Sequence, residues 1–105
     1  MKPLSGAARG MLAGLLLALA GPGQAADIFR GGQLYAQHCA ACHGGNGIAV
    51  LPGAPSFARQ ERLMQPDMVL LESVKRGKGP MPGFLPILRD QDILDIIAYV
   101  RTLRR

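Results

Sequence analysis

The stretch "YAQHCAACHGG" holds both cysteines and both histidines of the 105-residue chain: His38, Cys39, Cys42 and His43. Two thiols separated by two residues admit three chemistries: a dithiol redox pair, half of a zinc site, or thioether attachment of a haem. The histidine that follows at once discriminates among them. A redox pair of the thioredoxin kind sits at a helix start after a strand, and nothing before Cys39 reads as a strand. A structural zinc site needs two further ligands, and no cysteine remains to supply them. Haem attachment needs only what is present. The spacing matches the separation of the two sulfurs to adjacent vinyl groups on one porphyrin edge, and His43 then falls under the iron as its proximal axial ligand.

A second axial ligand has to come from elsewhere. His38 directly precedes Cys39 and cannot swing to the far face of the same ring, so it is expected to face solvent from a helix. The thioether candidates are Met64, Met68 and Met81. Met81 is the choice, because the prolines on either side of it in "GPMPGF" fix φ and stiffen the loop that presents its sulfur. Met64 and Met68 are expected to be ordinary packing residues, Met68 buried in the core by its helix.

These residues must be positioned by helices and rigid loops. A first helix starts near Asp27, a good N-cap, and carries Ile28, Gly31, Gly32, Leu34 and Tyr35 towards the cysteines. Each glycine inside it costs about 1 kcal/mol relative to alanine, which suggests a close approach to the backbone there. Residues 44–55, "GGNGIAVLPGAP", have loop composition. A second helix runs from Pro66 in its first turn through "DMVLLESVKR" to Gly77, with Asp67 at its positive end and Lys75 and Arg76 at its negative end. After the turn-rich "KGPMPGFLP", Asp90 opens a last helix in which Ile93, Ile96, Ile97, Val100 and Leu103 recur at helical spacing. The expected fold class is all-α.

The N-terminus has the layout of a secretory signal. Lys2 and Arg9 precede an apolar run at residues 11–20, which is too short to span a bilayer that needs roughly 20 residues. Gly21, Pro22 and Gly23 then break the helix, and cleavage is expected after Ala25 or Ala26. The expected division is a removed signal over residues 1–25 and one domain over residues 26–105; the other reading of the apolar run is a retained anchor. The exported part carries ten Lys or Arg and seven Asp or Glu, a formal +3. A domain of this size needs a staple such as a disulfide or a cofactor, and the cysteine pair offers the only one. The charge balance is weak and no basic-aromatic interleaving occurs, so nucleic acid is not expected as a partner, nor is stable membrane insertion once the signal is cut.

At this point the chain resembles a known family, the class I c-type cytochromes, and in particular the short monohaem proteins of the bacterial periplasm. The segments "GGQLYAQHCAACHGG", "GAPSF", "RGKGPMPGF" and "DQDILDIIAYVRTL" carry the resemblance, which covers nearly all of the exported part. It implies a small cytochrome c fold of three to four helices wrapped around one haem c bound through Cys39 and Cys42. It further implies that Gly31 and Tyr35 are the glycine and aromatic of the first helix and Tyr99 the aromatic of the last helix that crosses it, that the Pro55 carbonyl accepts the Nδ1 hydrogen bond of His43, that Phe57 packs on the haem, and that Met81 is the distal ligand. Arg89 stands where the family commonly has a serine, so Asp90 is expected to cap the last helix instead. No tryptophan is present to hold a haem propionate, and Arg59 or Arg62 would take that part.

With both axial positions filled, the implied function is electron transfer by a periplasmic, monomeric, non-enzymatic carrier. Burial of the haem among Phe57, Phe84, Ile93 and Ile97 would favour a positive potential. Lys75, Arg76 and Lys78 lie close to Met81 in sequence and would face an acidic patch on a reductase, oxidase or dehydrogenase. The rival keeps the haem but loosens Met81, opening the iron for gas sensing or peroxide chemistry.

Overall fold

The computed structural model describes residues 25–105. The expected secretory segment therefore lies outside the described residues, apart from Ala25 and Ala26. Among the described residues there are four α-helices, one 3-10 turn and no strand. Helix α1 is Ile28–His38, α2 the single turn Ala40–His43, α3 Asp67–Arg76 and α4 Asp90–Val100, with a 3-10 turn over Phe57–Arg59 between α2 and α3. None of these helices is long and apolar enough to cross a membrane.

The helix starts follow local chemistry, with two departures from expectation. Asp27 caps α1, its Oδ1 accepting from the Arg30 N–H at 3.0 Å. Pro66 sits one place earlier than expected, at the N-cap of α3 rather than inside its first turn. Asp90 does not cap α4. The N-cap residue is Arg89, and the capping oxygen belongs to Asp92 at N3, which accepts from the Arg89 N–H at 3.0 Å. Asp90 instead reaches Lys75 at 3.2 Å and ties α4 to the end of α3. Leu103 continues the apolar spacing beyond the helix, and stays half-buried.

The core forms where α1 crosses α4. A Cβ at Gly31 would overlap the backbone carbonyl of Asp95, so only glycine lets the two helix backbones approach this closely. A Cβ at Gly32 would press on the Tyr99 ring at 2.9 Å. Both glycines are thus spent on one contact, and α1 runs unbroken through them. Tyr35 is fully buried beside the crossing, its ring 5.4 Å from that of Tyr99. Leu63, Leu71, Phe84, Leu88, Ile93, Ile96, Ile97 and Val100 complete the core.

A charged strap closes the rim of this crossing. The Asp27 N–H donates to Asp95 Oδ1 at 2.9 Å, and the Arg30 guanidinium donates to Asp92 Oδ1 at 2.7 Å. Hydrogen bonds from Arg30 and Arg89 hold the Asp92 carboxyl well below the usual carboxylate range.

Two outcomes follow from the crossing. Gly31→Ala is expected to cost roughly 1–3 kcal/mol in urea unfolding, because a backbone atom cannot step aside as a side chain would. Asp92 has its pKa lowered in the folded state, so its contribution is present above the ordinary aspartate pKa of about 3.9 and disappears as the pH falls below it. Asp92→Asn should therefore lower stability at neutral pH by about 1–3 kcal/mol and flatten the acid limb of a stability-against-pH curve.

Candidate functional site: a covalent haem cleft

One turn of chain places all the motif's side chains. Helix α1 ends as Cys39 leaves helical geometry, its N–H still bonded to the Tyr35 carbonyl at 2.8 Å, and α2 then turns His43 back towards the core, while Cys42 is half-buried and lies outside the residues that line the cleft. The following loop folds onto this turn, with the N–H groups of Val50 and Leu51 donating to the Cys42 carbonyl at 2.9 and 3.1 Å. Gly44 makes the reversal at φ +85, where an added Cβ would overlap the Ile48 carbonyl. The Tyr35 hydroxyl donates to the Gly44 carbonyl at 2.6 Å, which links the helix crossing directly to the motif, and burial pushes its own pKa up to about 12.

The buried His43 has one ring nitrogen committed. Its Nδ1 lies 3.2 Å from the Pro55 carbonyl, and because a carbonyl can only accept, Nδ1 carries the hydrogen. That leaves Nε2 as the nitrogen with a free lone pair. The segment presenting Pro55 is itself pinned, since Ser56 Oγ accepts from the Ala49 N–H at 2.9 Å and the Ser56 N–H donates to Glu61 Oε1 at 2.7 Å. Phe57 stacks on the His43 ring with centroids 4.5 Å apart, and meets Tyr35 edge-on at 6.4 Å.

Met81 arrives on a loop locked backbone against backbone. Lys78 and Met81 exchange both N–H···O bonds at 3.0 Å, and the N–H groups of Phe84 and Leu85 donate to the Val74 and Lys75 carbonyls of α3 at 3.0 and 3.1 Å. Gly77 stands at φ +75, and a Cβ there would lie 2.6 Å from the Met81 carbonyl; a Cβ at Gly83 would lie 2.7 Å from the Arg76 carbonyl. The flanking prolines alone do not account for this rigidity. In the sequence Gly77 reads only as the end of its helix and Gly83 only as part of a turn-rich loop, because the contacts that make them position Met81 lie between loop segments that the fold brings together.

Cys39, His43, Phe57 and Met81 line one apolar cleft, together with Tyr35, Leu63, Leu70, Val74, Ile96, Ile97 and Val100. Of the expected haem neighbours, Phe57 and Ile97 line it, whereas Phe84 and Ile93 belong to the core cluster. Met64 and Met68 do not pack inside: they are 94% and 62% exposed, since loop and helix turn them outward. His38 is half-buried against Phe84, with ring centroids 5.8 Å apart, rather than turned to solvent. Arg59 and Arg62 are both exposed, Arg62 at φ +66. Lys75 is drawn into ion pairs with Asp90 and, at 3.7 Å, Glu72, which removes it from the expected docking cluster; Arg76 and Lys78 remain exposed.

The donor set fits a haem c. An apolar cleft walled by branched aliphatics suits a porphyrin, while one imidazole nitrogen and one thioether are soft, neutral donors for its iron. Burial, reinforced by Cys42, pushes the Cys39 thiol up to about 11, the opposite of the lowered pKa that a dithiol oxidoreductase needs. Fold and cleft together define a small all-helical haem protein of the c type.

Comparison with known proteins places it more closely. Residues 26–100 match the family model described as "Cytochrome C oxidase, cbb3-type, subunit III", and the chain belongs to this family of cytochrome c domains. It is 37% identical over 90 residues to cytochrome c6 of Thermosynechococcus vestitus, covering 82% of this chain and 79% of that one. It is 41% identical over 86 residues to cytochrome c4 of Pseudomonas aeruginosa, covering 81% of this chain but 43% of the relative. Among solved structures it is similar to the KustC0563 c-type cytochrome (TM-score 0.64, 29% identity, 71% of this chain and 98% of that one) and to cytochrome c6 of the diatom Phaeodactylum tricornutum (TM-score 0.61, 28% identity, 72% and 92%). The protein is an electron-transfer cytochrome with covalently attached haem c.

The Met81 loop makes a paired prediction. Gly79 also has positive φ, +56, but an added Cβ would meet nothing within 4 Å. Gly79→Ala should cost about 1 kcal/mol of left-handed strain. Gly77→Ala adds a backbone overlap and should exceed it by roughly 1–3 kcal/mol in denaturant unfolding.

Proposed function

We propose that the protein is a single-electron carrier whose iron is closed by His43 and Met81, with Cys39 and Cys42 as the thioether anchors. The observation that carries this reading is that, among the described residues, the one methionine inside the cleft is the one on the locked loop. Met64 and Met68 face outward, while Met81 lines the same cleft as a His43 whose Nδ1 is already engaged. When bound, haem c supplies a one-electron couple at its iron. The chain's own residues tune and protect that couple. Pro55 fixes the His43 ring and raises its basicity, Phe57 holds the ring from its face, and the branched side chains of Leu63, Leu70, Val74, Ile96 and Ile97 keep water from the cleft. A neutral thioether and an apolar wall both favour the reduced state, so the midpoint potential is expected to be positive.

A labile Met81, which the sensor or peroxidase reading requires, is disfavoured by the four backbone hydrogen bonds and two glycine contacts that hold its loop. The cleft lining also offers no second histidine as a distal acid-base group, and the other candidate, His38, packs on Phe84. We place the carrier in the periplasm on the strength of its N-terminal sequence, acting as a monomer without catalytic activity of its own. Arg76 and Lys78 would orient it on an acidic redox partner, chiefly by raising the association rate at low salt.

The test is an optical spectrum of the oxidised holoprotein, followed by reduction under CO. The wild type should show the weak red-end band of sulfur-to-iron ligation and ignore CO; Met81→Ala should lose the band and bind CO. A wild type that binds CO readily would point instead to an open iron and to the sensor reading.

A further inference from the structure

The segment between the Phe57–Arg59 turn and α3 forms part of the cleft wall, and beyond Glu61 it has almost no hydrogen-bonded framework of its own. Leu63 lies within it, is buried and lines the cleft. The segment's hydrogen bonds gather at its start, where the Gln60 N–H and Nε2 donate to the Phe57 carbonyl at 2.9 and 3.0 Å, the Glu61 N–H donates to the Ser56 carbonyl at 3.3 Å and Glu61 Oε1 accepts from the Ser56 N–H at 2.7 Å. Beyond Glu61 there are only the Leu63 N–H to the Gln60 carbonyl at 3.2 Å and Gln65 Nε2 to the Arg62 carbonyl at 2.8 Å. Two of its non-glycine residues, Gln60 and Arg62, stand at φ +63 and +66. Left to itself, such a segment would relax out of that backbone, and an outside constraint must hold it.

For the stretch beyond Glu61, the constraint is a single side chain from the end of α4. Arg101, the C-cap residue, donates from Nη1 to the Leu63 carbonyl at 2.6 Å and from Nη2 to the Gln65 carbonyl at 2.8 Å. Its Nε and Nη2 also reach Asp67 Oδ1, at 3.1 and 2.8 Å. The planar fork thus spans two carbonyls of the segment and the first residue of α3, a geometry that a lysine's single ammonium cannot reproduce. Resting on the haem-cleft reading above, we propose that Arg101 is a positioning residue for the redox centre: it latches the wall that seats Leu63 and so keeps water out of the cleft, holding the potential up.

The experiment compares holoprotein variants Arg101→Gln and Arg101→Lys with Arg104→Gln, whose exposed arginine makes none of these contacts. Amide hydrogen exchange and midpoint potential are measured on each. Arg101→Gln should speed exchange of residues 60–65 by about tenfold or more, the factor that loss of charge-assisted hydrogen bonds implies, while amides at the α1–α4 crossing keep their protection. Its potential should fall, because admitted water stabilises the more highly charged ferric state. Arg101→Lys should recover part of both effects, and Arg104→Gln should show neither. If exchange rises uniformly across the protein, Arg101 merely supports global stability and the proposal is wrong. If the segment loosens while the potential stays put, the latch does not act on the redox centre, which also overturns it. Should the wild type lack the sulfur-to-iron band, the ligand assignment fails by itself, and the exchange and potential comparisons still decide the role of Arg101.

Discussion

The contact between Gly31 and the backbone of Asp95 is the constraint on which the other positions depend. Hydrogen atoms alone separate the two helices at that point. A methyl group would push α1 off α4, and with it Tyr35, whose hydroxyl holds the Gly44 carbonyl, and Cys39, which ends the same helix. The placement of the thiols and the imidazole is thus dictated about two turns away from them, by an atom that is missing. The Asp92 and Asp95 carboxylates at the rim add orientation, drawing Arg30 and the Asp27 N–H across the same seam.

From the crossing outward, the working parts sit on irregular backbone. The carbonyl that receives His43, the loop that bears Met81 and the wall that bears Leu63 all lie outside the helices. Each obtains its rigidity differently: side-chain bonds around Ser56 for the first, tightly packed glycines at Gly77 and Gly83 for the second, and a guanidinium fork for the third. A scaffold of rigid helices with chemistry on loops is a common division of labour. Here the loops are as firmly determined as the scaffold, which suits a centre whose surroundings should barely rearrange between its two redox states.

The helices and the motif were legible in the sequence because their signals are local. Asp27 as a cap, the periodic isoleucines of α4 and the cysteine spacing each act over one or two turns. The misplaced residues were those decided by distant partners. Asp90 read as a cap because nothing nearby revealed that Asp92 and Lys75 would compete for the roles. Lys75 read as a free charge for the same reason. Met68 read as core because apolar residues on an amphipathic helix usually are, but α3 turns Leu70, Leu71 and Val74 inward, and Met68 falls outside the stripe that these three define. Arg101 carries no local signal, and only the fold brings two carbonyls within its reach.

The separation of the two crossing helices along the chain has a temporal consequence. Arg30 and Asp92 are 62 positions apart, and Asp27 and Asp95 are 68 apart. Closing so long a loop is slow and costs entropy before any contact repays it. Without the last helix the cleft lacks Ile96, Ile97 and Val100 from its walls, whereas Cys39 and Cys42 flank a single short turn built from near neighbours. The turn that carries the two thiols is thus local, whereas the cleft beside it waits on the slow long-range closure.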